Sequence, residues 1–150
     1  MTRTTETTRT TQPAPTTLTP LQQRVLAATR TVVALLFICH GTMSFGAFGG
    51  VDGAGAAAPL GAWPAWYAGV IEVGAGALVL LGLFTRSAAV LCSGTMAYAY
   101  FTVHQPMALL PLQNMGEQAA LFCWIFLLIA VLGPGTAALD GLRRTRRSRT

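Results

Sequence analysis

Four side chains are placed to do proton or hydrogen-bond chemistry from apolar surroundings: His40, Glu72, His104 and Glu117. Glu72 makes the strongest demand, because it interrupts residues 66–84, a run that is otherwise almost wholly apolar. A carboxylate in hydrocarbon is costly, so it must face protein or water and have a partner. Imidazole titrates near neutral pH and burial raises the pKa of a carboxyl group. Histidines and glutamates gathered in such a place suit proton exchange with a polar head group such as a quinone carbonyl. Two histidines and two glutamates are also metal-ligand types, but the chain has no HxxxH, ExxH or CxxC spacing, and no metal site is expected.

The four residues need helices to bring them together. Residues 66–84 number 19 and, at ~1.5 Å of rise each, cross most of a bilayer core of ~30 Å. Glu72 lies nine residues beyond Trp63, ~13 Å along such a helix, and His40 lies six residues before Gly46, ~9 Å from the same side. His104 and Glu117 flank one loop on that side. All four can therefore gather in one half of a bundle.

Three further apolar stretches supply that bundle. The first span is expected at residues 25–46, the second from Trp63-Pro64, the third at 87–104 and the fourth at 117–132, stopped by Gly133-Pro134-Gly135. Pro64 suits a first helical position, where no N–H is needed. Trp63, Trp66 and Tyr67 suit a membrane–water interface. The loop at 105–116 is apolar enough to lie in the interface. Helical spacing puts Arg30, Val33, Phe37, His40 and Ser44 on one face of the first span. It puts Ala65, Gly69, Glu72 and Gly76 on one face of the second, where small residues mark close helix contact. Ser93, Ala97, Tyr100 and His104 share a face of the third, and Glu117, Ala120 and Trp124 share one of the fourth.

Composition agrees with a membrane protein. The chain has 150 residues, 53% of them hydrophobic and only 10% charged, against about 25% charged in soluble domains. Its mean hydropathy is +0.53. The expected fold is all-α, a bundle of four transmembrane helices in one domain. Residues 1–23 form a disordered Thr/Pro-rich tail with no signal-peptide cleavage site, 24–140 the membrane domain, and 141–150 an Arg-rich tail.

The ten basic residues are all arginine, and they lie before or early in the first span, between the second and third spans, and after the fourth. With four spans these segments share one side. The positive-inside rule then puts both termini in the cytoplasm of a multi-pass protein of the cell membrane. The net charge of +5 reflects the C-terminal arginines. Those fit anionic lipid rather than nucleic acid.

Each candidate has a structural alternative. Glu72 can form a bundle-stabilising pair with His40 or with Arg30, and Arg30 can instead snorkel to the interface. His40 can be a hydrogen-bonded core residue, and His104 an interfacial one. Asn114 can cap the fourth span with Glu117 reaching back, a capping-box variant. Arg86 reads as a topology residue. Cys39, Cys92 and Cys123 fall in separate apolar runs and read as small packing residues.

The chain resembles the DoxX family of small four-span membrane proteins over about residues 24–140. The resemblance is carried by Phe37-Ile38-Cys39-His40-Gly41, Ala68-Gly69-Val70-Ile71-Glu72, Leu81-Gly82-Leu83-Phe84-Thr85-Arg86, His104, Asn114-Met115-Gly116-Glu117, and Gly133-Pro134-Gly135 with Asp140. It departs from the family pattern at Ser44, where relatives often carry lysine, and at Ala137-Ala138, where an aromatic residue and serine are usual. The resemblance implies a membrane component of redox systems. Some relatives are subunits of thiosulfate:quinone oxidoreductases, and others associate with a superoxide dismutase and a sulfurtransferase.

The function expected is therefore that of a membrane subunit of a quinone-linked or oxidative-stress redox complex, with His40, Glu72, His104 and Glu117 as a quinone or substrate site. The partners expected are the lipid bilayer and soluble redox enzymes. No flavin, haem or iron–sulfur motif is visible, which argues against catalysis by this chain alone. The alternative is a non-catalytic scaffold that recruits soluble redox enzymes through the Arg-rich tail. A small-solute transporter is a weaker alternative, because no span is clearly interrupted at mid-membrane.

Overall fold

A computed structural model describes residues 18–141. The described residues are helical, with two isolated bridges in one loop and no strand. Four helices carry the fold: α1 (Pro20–Met43), α2 (Ala65–Leu81), α3 (Thr85–Ala99) and α4 (Glu117–Leu132). They pack in chain order, each antiparallel to the next. The seam between α1 and α4 is far looser than the other three.

Local chemistry sets most of the ends. Thr19 accepts a hydrogen bond from the Gln22 amide while the Gln22 side chain accepts from the Thr19 amide, a capping box, with Pro20 as the first helical residue. The helix thus starts five residues earlier than the apolar run, so residues 20–23 are helical rather than part of the tail. The rest of the expected tail, 1–17, and residues 142–150 of the Arg-rich tail lie outside the described residues.

The second helix begins one residue later than expected, after a cis Trp63-Pro64 bond, with Pro64 as its cap. It ends at Gly82, whose φ of 68° lets the Leu83 amide reach back to the Leu78 carbonyl at 2.9 Å. That is a Schellman closure, which only a residue at ease with positive φ completes without strain. Beyond Ala99 the third helix widens by one residue, with the Gln105 amide bonding the Tyr100 carbonyl at 2.8 Å across Tyr100–His104. The fourth helix has the expected bounds.

Phe37 of α1 sits at the centre, edge-on to Phe126 and Phe122 of α4 with ring centroids 4.6 and 5.3 Å away. Val79, Ala89, Cys92 and Ile129 complete a fully buried layer. The outward faces are also apolar, with Leu35, Val70, Val90 and Leu121 exposed on the four helices in turn. Such a bundle has no polar outer surface to distinguish from its core. Close packing of small residues against large ones is then what separates inside from outside.

This corrects the face expected for α4. Its buried residues are Ala119, Phe122, Phe126, Ile129 and Ala130, while Glu117 is exposed and Trp124 is 70% exposed. Ala120 is only partly covered. The helix is apolar all round, so no polar stripe marked the inner side.

By length and composition, α1 alone among the described helices is long and apolar enough to cross a bilayer. At 17 and 16 residues, α2 and α4 are apolar but shorter, about 25 Å each.

Candidate functional site

The best-built polar contact inside the bundle joins α1 to α2. The Nδ1 atom of His40 lies 2.7 Å from Oε2 of Glu72. Glu72 is 3% exposed, whereas the His40 side chain keeps 36% of its surface open. Two glycines let the helices approach closely enough. A Cβ at Gly41 would stand 2.6 Å from the Glu72 Cβ, and one at Gly69 would stand 2.5 Å from the Ser44 Cβ. Both separations are inside van der Waals contact, so a larger residue at either position would push α1 off α2. The glycine face expected on α2 is therefore the face that seats Glu72 against α1.

The pair has a definite chemistry. When Glu72 is ionised, Nδ1–H donates to it and Nε2 is left as an acceptor directed away from the carboxylate. A proton taken up at Nε2 produces an imidazolium held by a carboxylate at short range, a charge-assisted bond. The imidazole ring also lies 6.2 Å from the Phe122 ring of α4.

His104 and Glu117 do not join this pair. The His104 ring bonds the Asn114 carbonyl oxygen at 3.0 Å. Among the described residues, neither His104 nor Glu117 makes a hydrogen bond to His40 or Glu72. The widened turn at Tyr100–His104 carries the ring toward the 105–116 loop. Gly116 fits beneath it, since a Cβ there would meet the His104 Cβ and the Tyr100 ring at 2.9 Å each. Asn114 does not cap α4 as expected. Its side chain, 1% exposed, accepts from the Gly116 amide and donates to the Ala108 carbonyl, both at 2.8 Å, and Gly116 holds the cap position. Asn114 thus ties the loop to itself, and Glu117 does not complete a capping box.

The opposite end of the bundle is a lock of charged residues. Arg30 is 2% exposed, so it does not snorkel, and it does not pair with Glu72. Its guanidinium donates to the carbonyls of Val79 and Leu80 at the end of α2, at 2.5 and 2.6 Å, and to those of Pro134 and Ala137 at 3.0 and 3.2 Å. The unpaired carbonyls of a helix end and a cation suit one another. Asp140 does the reciprocal work at the start of α3. Its carboxylate accepts from the Phe84 amide at 2.9 Å and from the Thr85 amide and hydroxyl at 3.0 Å each. Arg86 donates to the Ala130 carbonyl at the end of α4, at 3.2 Å. The arginines and Asp140 were legible as end-of-span residues. Their partners were not, because they lie 44 to 107 residues away.

Of the cysteines, Cys92 lies in the core and Cys123 packs against it, while Cys39 is half-buried outside that core. Cys92 is fully buried, and Ser93 donates to the Cys123 carbonyl at 2.9 Å, joining α3 to α4. No group of three or more His, Cys, Asp or Glu among the described residues is close enough together to hold a metal ion. In the exposed loop between α1 and α2, Asp52 accepts from the Ala54 and Ala56 amides at 2.9 and 3.0 Å. The bonds to Ala56 and Ala54 hold its carboxyl below the usual carboxylate range.

Comparison with known proteins reaches part of the residues that carried the resemblance: those up to His104 lie under the family profile, and residues 114–117, 133–135 and Asp140 lie outside it. The DoxX family profile matches residues 25–105. A protein of Haemophilus influenzae (strain ATCC 51907 / DSM 11121 / KW20 / Rd), described as uncharacterized, is 42% identical over 118 residues, which cover 77% of this chain and 87% of the relative. No solved structure matches. With more than half its length under the family profile and a relative 42% identical over most of both chains, the chain is a membrane protein of the DoxX family.

Proposed function

We propose that this protein is a multi-pass membrane subunit of a quinone-linked or oxidative-stress redox complex. In this proposal His40 and Glu72 form its proton-exchanging site. The observation that carries it is the His40–Glu72 contact at 2.7 Å, with the carboxylate buried and the imidazole left partly open. Burial of the acid fixes the ring's orientation, and the open edge of the ring is where a head group docks. A quinone carbonyl would accept a hydrogen bond from protonated Nε2, and a quinol hydroxyl would donate to the neutral ring. The chain's part is to bind the head group and hold or release its proton. Electrons pass to or from a separate, soluble redox partner.

The proposal includes four crossings with both termini in the cytoplasm. Arg24, Arg30 and Arg86 all lie toward one end of the bundle, and the loops at the other end carry no arginine. That asymmetry favours placing the arginine end inside. The short α2 is extended by the apolar flanks Trp63 and Leu83, which suit the interface.

The test is quinone binding by purified protein in lipid nanodiscs across pH 5–8. Glu72→Gln and His40→Gln are expected to weaken affinity by about tenfold or more, the worth of one charge-assisted hydrogen bond. They are also expected to flatten its pH dependence. Wild-type affinity and an unchanged pH profile in both variants would remove the proposal.

A further inference from the structure

A groove of about 590 Å³ lies on the α1–α4 seam, lined on the α1 side by Val33 and Leu36 and not by His40 itself. Val33 and Phe122 form its floor, and Leu36, Leu121 and Ile125 its walls. At the end nearest the loops, Glu117 and Gln118 line its mouth with Leu112 and Met115. Leu36 lies one helical turn below His40 on α1, so the groove runs toward the open imidazole. From Glu117 to Ile125 is two turns of α4, about 12 Å.

We infer that this groove holds the single hydrocarbon tail of an uncharged amphiphile whose hydrogen-bonding head lies at His40. This rests on the head-group site proposed above and adds the tail and the charge of the head. Two observations select the occupant. The groove is wholly apolar at Ile125, and its polar lining residues, Glu117 and Gln118, stand at the mouth beside Leu112 and Met115, which suits a ligand apolar at one end and polar at the other. The charge lining the mouth, Glu117, disfavours an acidic head. Glu72 and Glu117 stand at this end of the bundle with Asp52 in the neighbouring loop. The described arginines 24, 30 and 86 are all toward the far end, with Arg30 and Arg86 engaged by backbone carbonyls. A phosphate or carboxylate head would meet carboxylates with no arginine beside it, whereas a carbonyl or hydroxyl head meets donors and acceptors. The volume is within the ~300–1,000 Å³ of ordinary ligand sites.

The experiment is photolabelling in phosphatidylcholine nanodiscs with a decyl-benzoquinone carrying a diazirine on its tail. Its controls are a diazirine-tailed decanoic acid and a tail-less benzoquinone measured by equilibrium binding. Labels are expected on Leu36, Leu121 and Ile125, with the fatty acid labelling them at least tenfold less. Filling the groove with Leu36→Trp, or separately Leu121→Trp, is expected to cut labelling at least tenfold and to leave the tail-less quinone bound as before. Both side chains are more than half exposed, so the larger ring occupies groove space without overpacking the core. Labels scattered over the outward faces of all four helices, or equal labelling by the fatty acid, would overturn the inference while the head-group site stood. Groove labelling that persists at wild-type level in Glu72→Gln and His40→Gln would overturn the placement of the head at His40 and remove the proposed site, leaving only a tail groove.

Discussion

His40 and Glu72 are 32 residues apart in the chain and 2.7 Å apart in the bundle, and the helices that carry them touch through glycine. The contact depends on backbone approach as much as on the two side chains. Gly41 follows His40 directly and rests against the Glu72 Cβ.

Gly41→Ala is therefore expected to destabilise the protein by about 1–3 kcal/mol, the usual cost of overpacking. Gly74→Ala, where nothing lies within 4 Å, is the matched control. There the helix gains about 1 kcal/mol from replacing glycine. Thermal unfolding of both variants in one detergent should move in opposite directions, and equal shifts would contradict the close approach of α1 and α2.

The lock at the other end makes a second prediction. Asp140→Ala removes the cap of α3 and should cost about 0.5–2 kcal/mol. Arg30→Met leaves up to three carbonyls, those of Leu80, Pro134 and Ala137, without their donor, each worth about 1–3 kcal/mol if it stays buried, and should cost at least 3 kcal/mol. Neither change touches the His40–Glu72 pair, so quinone binding by the folded fraction should be unaltered. Unfolding monitored alongside binding separates the two effects.

A third prediction concerns pH. The Asp52 carboxyl is held below its ordinary range by backbone amides, so its contribution to loop order is present above the unfolded-state pKa, about 3.9. That contribution is lost as pH falls through the lower folded value. Hydrogen exchange at the Ala54 and Ala56 amides, corrected for intrinsic rates, should lose protection at pH 3 relative to pH 5. In Asp52→Asn this difference should be much reduced. Equal loss of protection in both proteins would show that the carboxylate does not order the loop.

Local signals sufficed for much of the fold. The apolar runs and their punctuation gave four helices, with the bounds of the fourth correct from Glu117 to Leu132. The start of α1 was written in Thr19-Pro20 and Gln22, but an apolar-run criterion looks past a polar cap. The glycine face of α2 and the need of Glu72 for a partner were both legible, and His40 was one of two partners the spacing allowed.

Tertiary structure alone chose between His40 and Arg30, because both lie on one face of α1 and only the stagger of α2 decides which meets Glu72. It also turned Phe122 and Phe126 of α4 inward and Trp124 outward, and carried His104 away to Asn114. The reason is physical. Helical periodicity reports which side of a helix differs from the other, and a helix that is apolar all round, bounded by apolar neighbours, gives no such contrast. Nor does local sequence specify the carbonyls that hold Arg30 or the amides that Asp140 caps, since those bonds exist only once segments distant in the chain have packed.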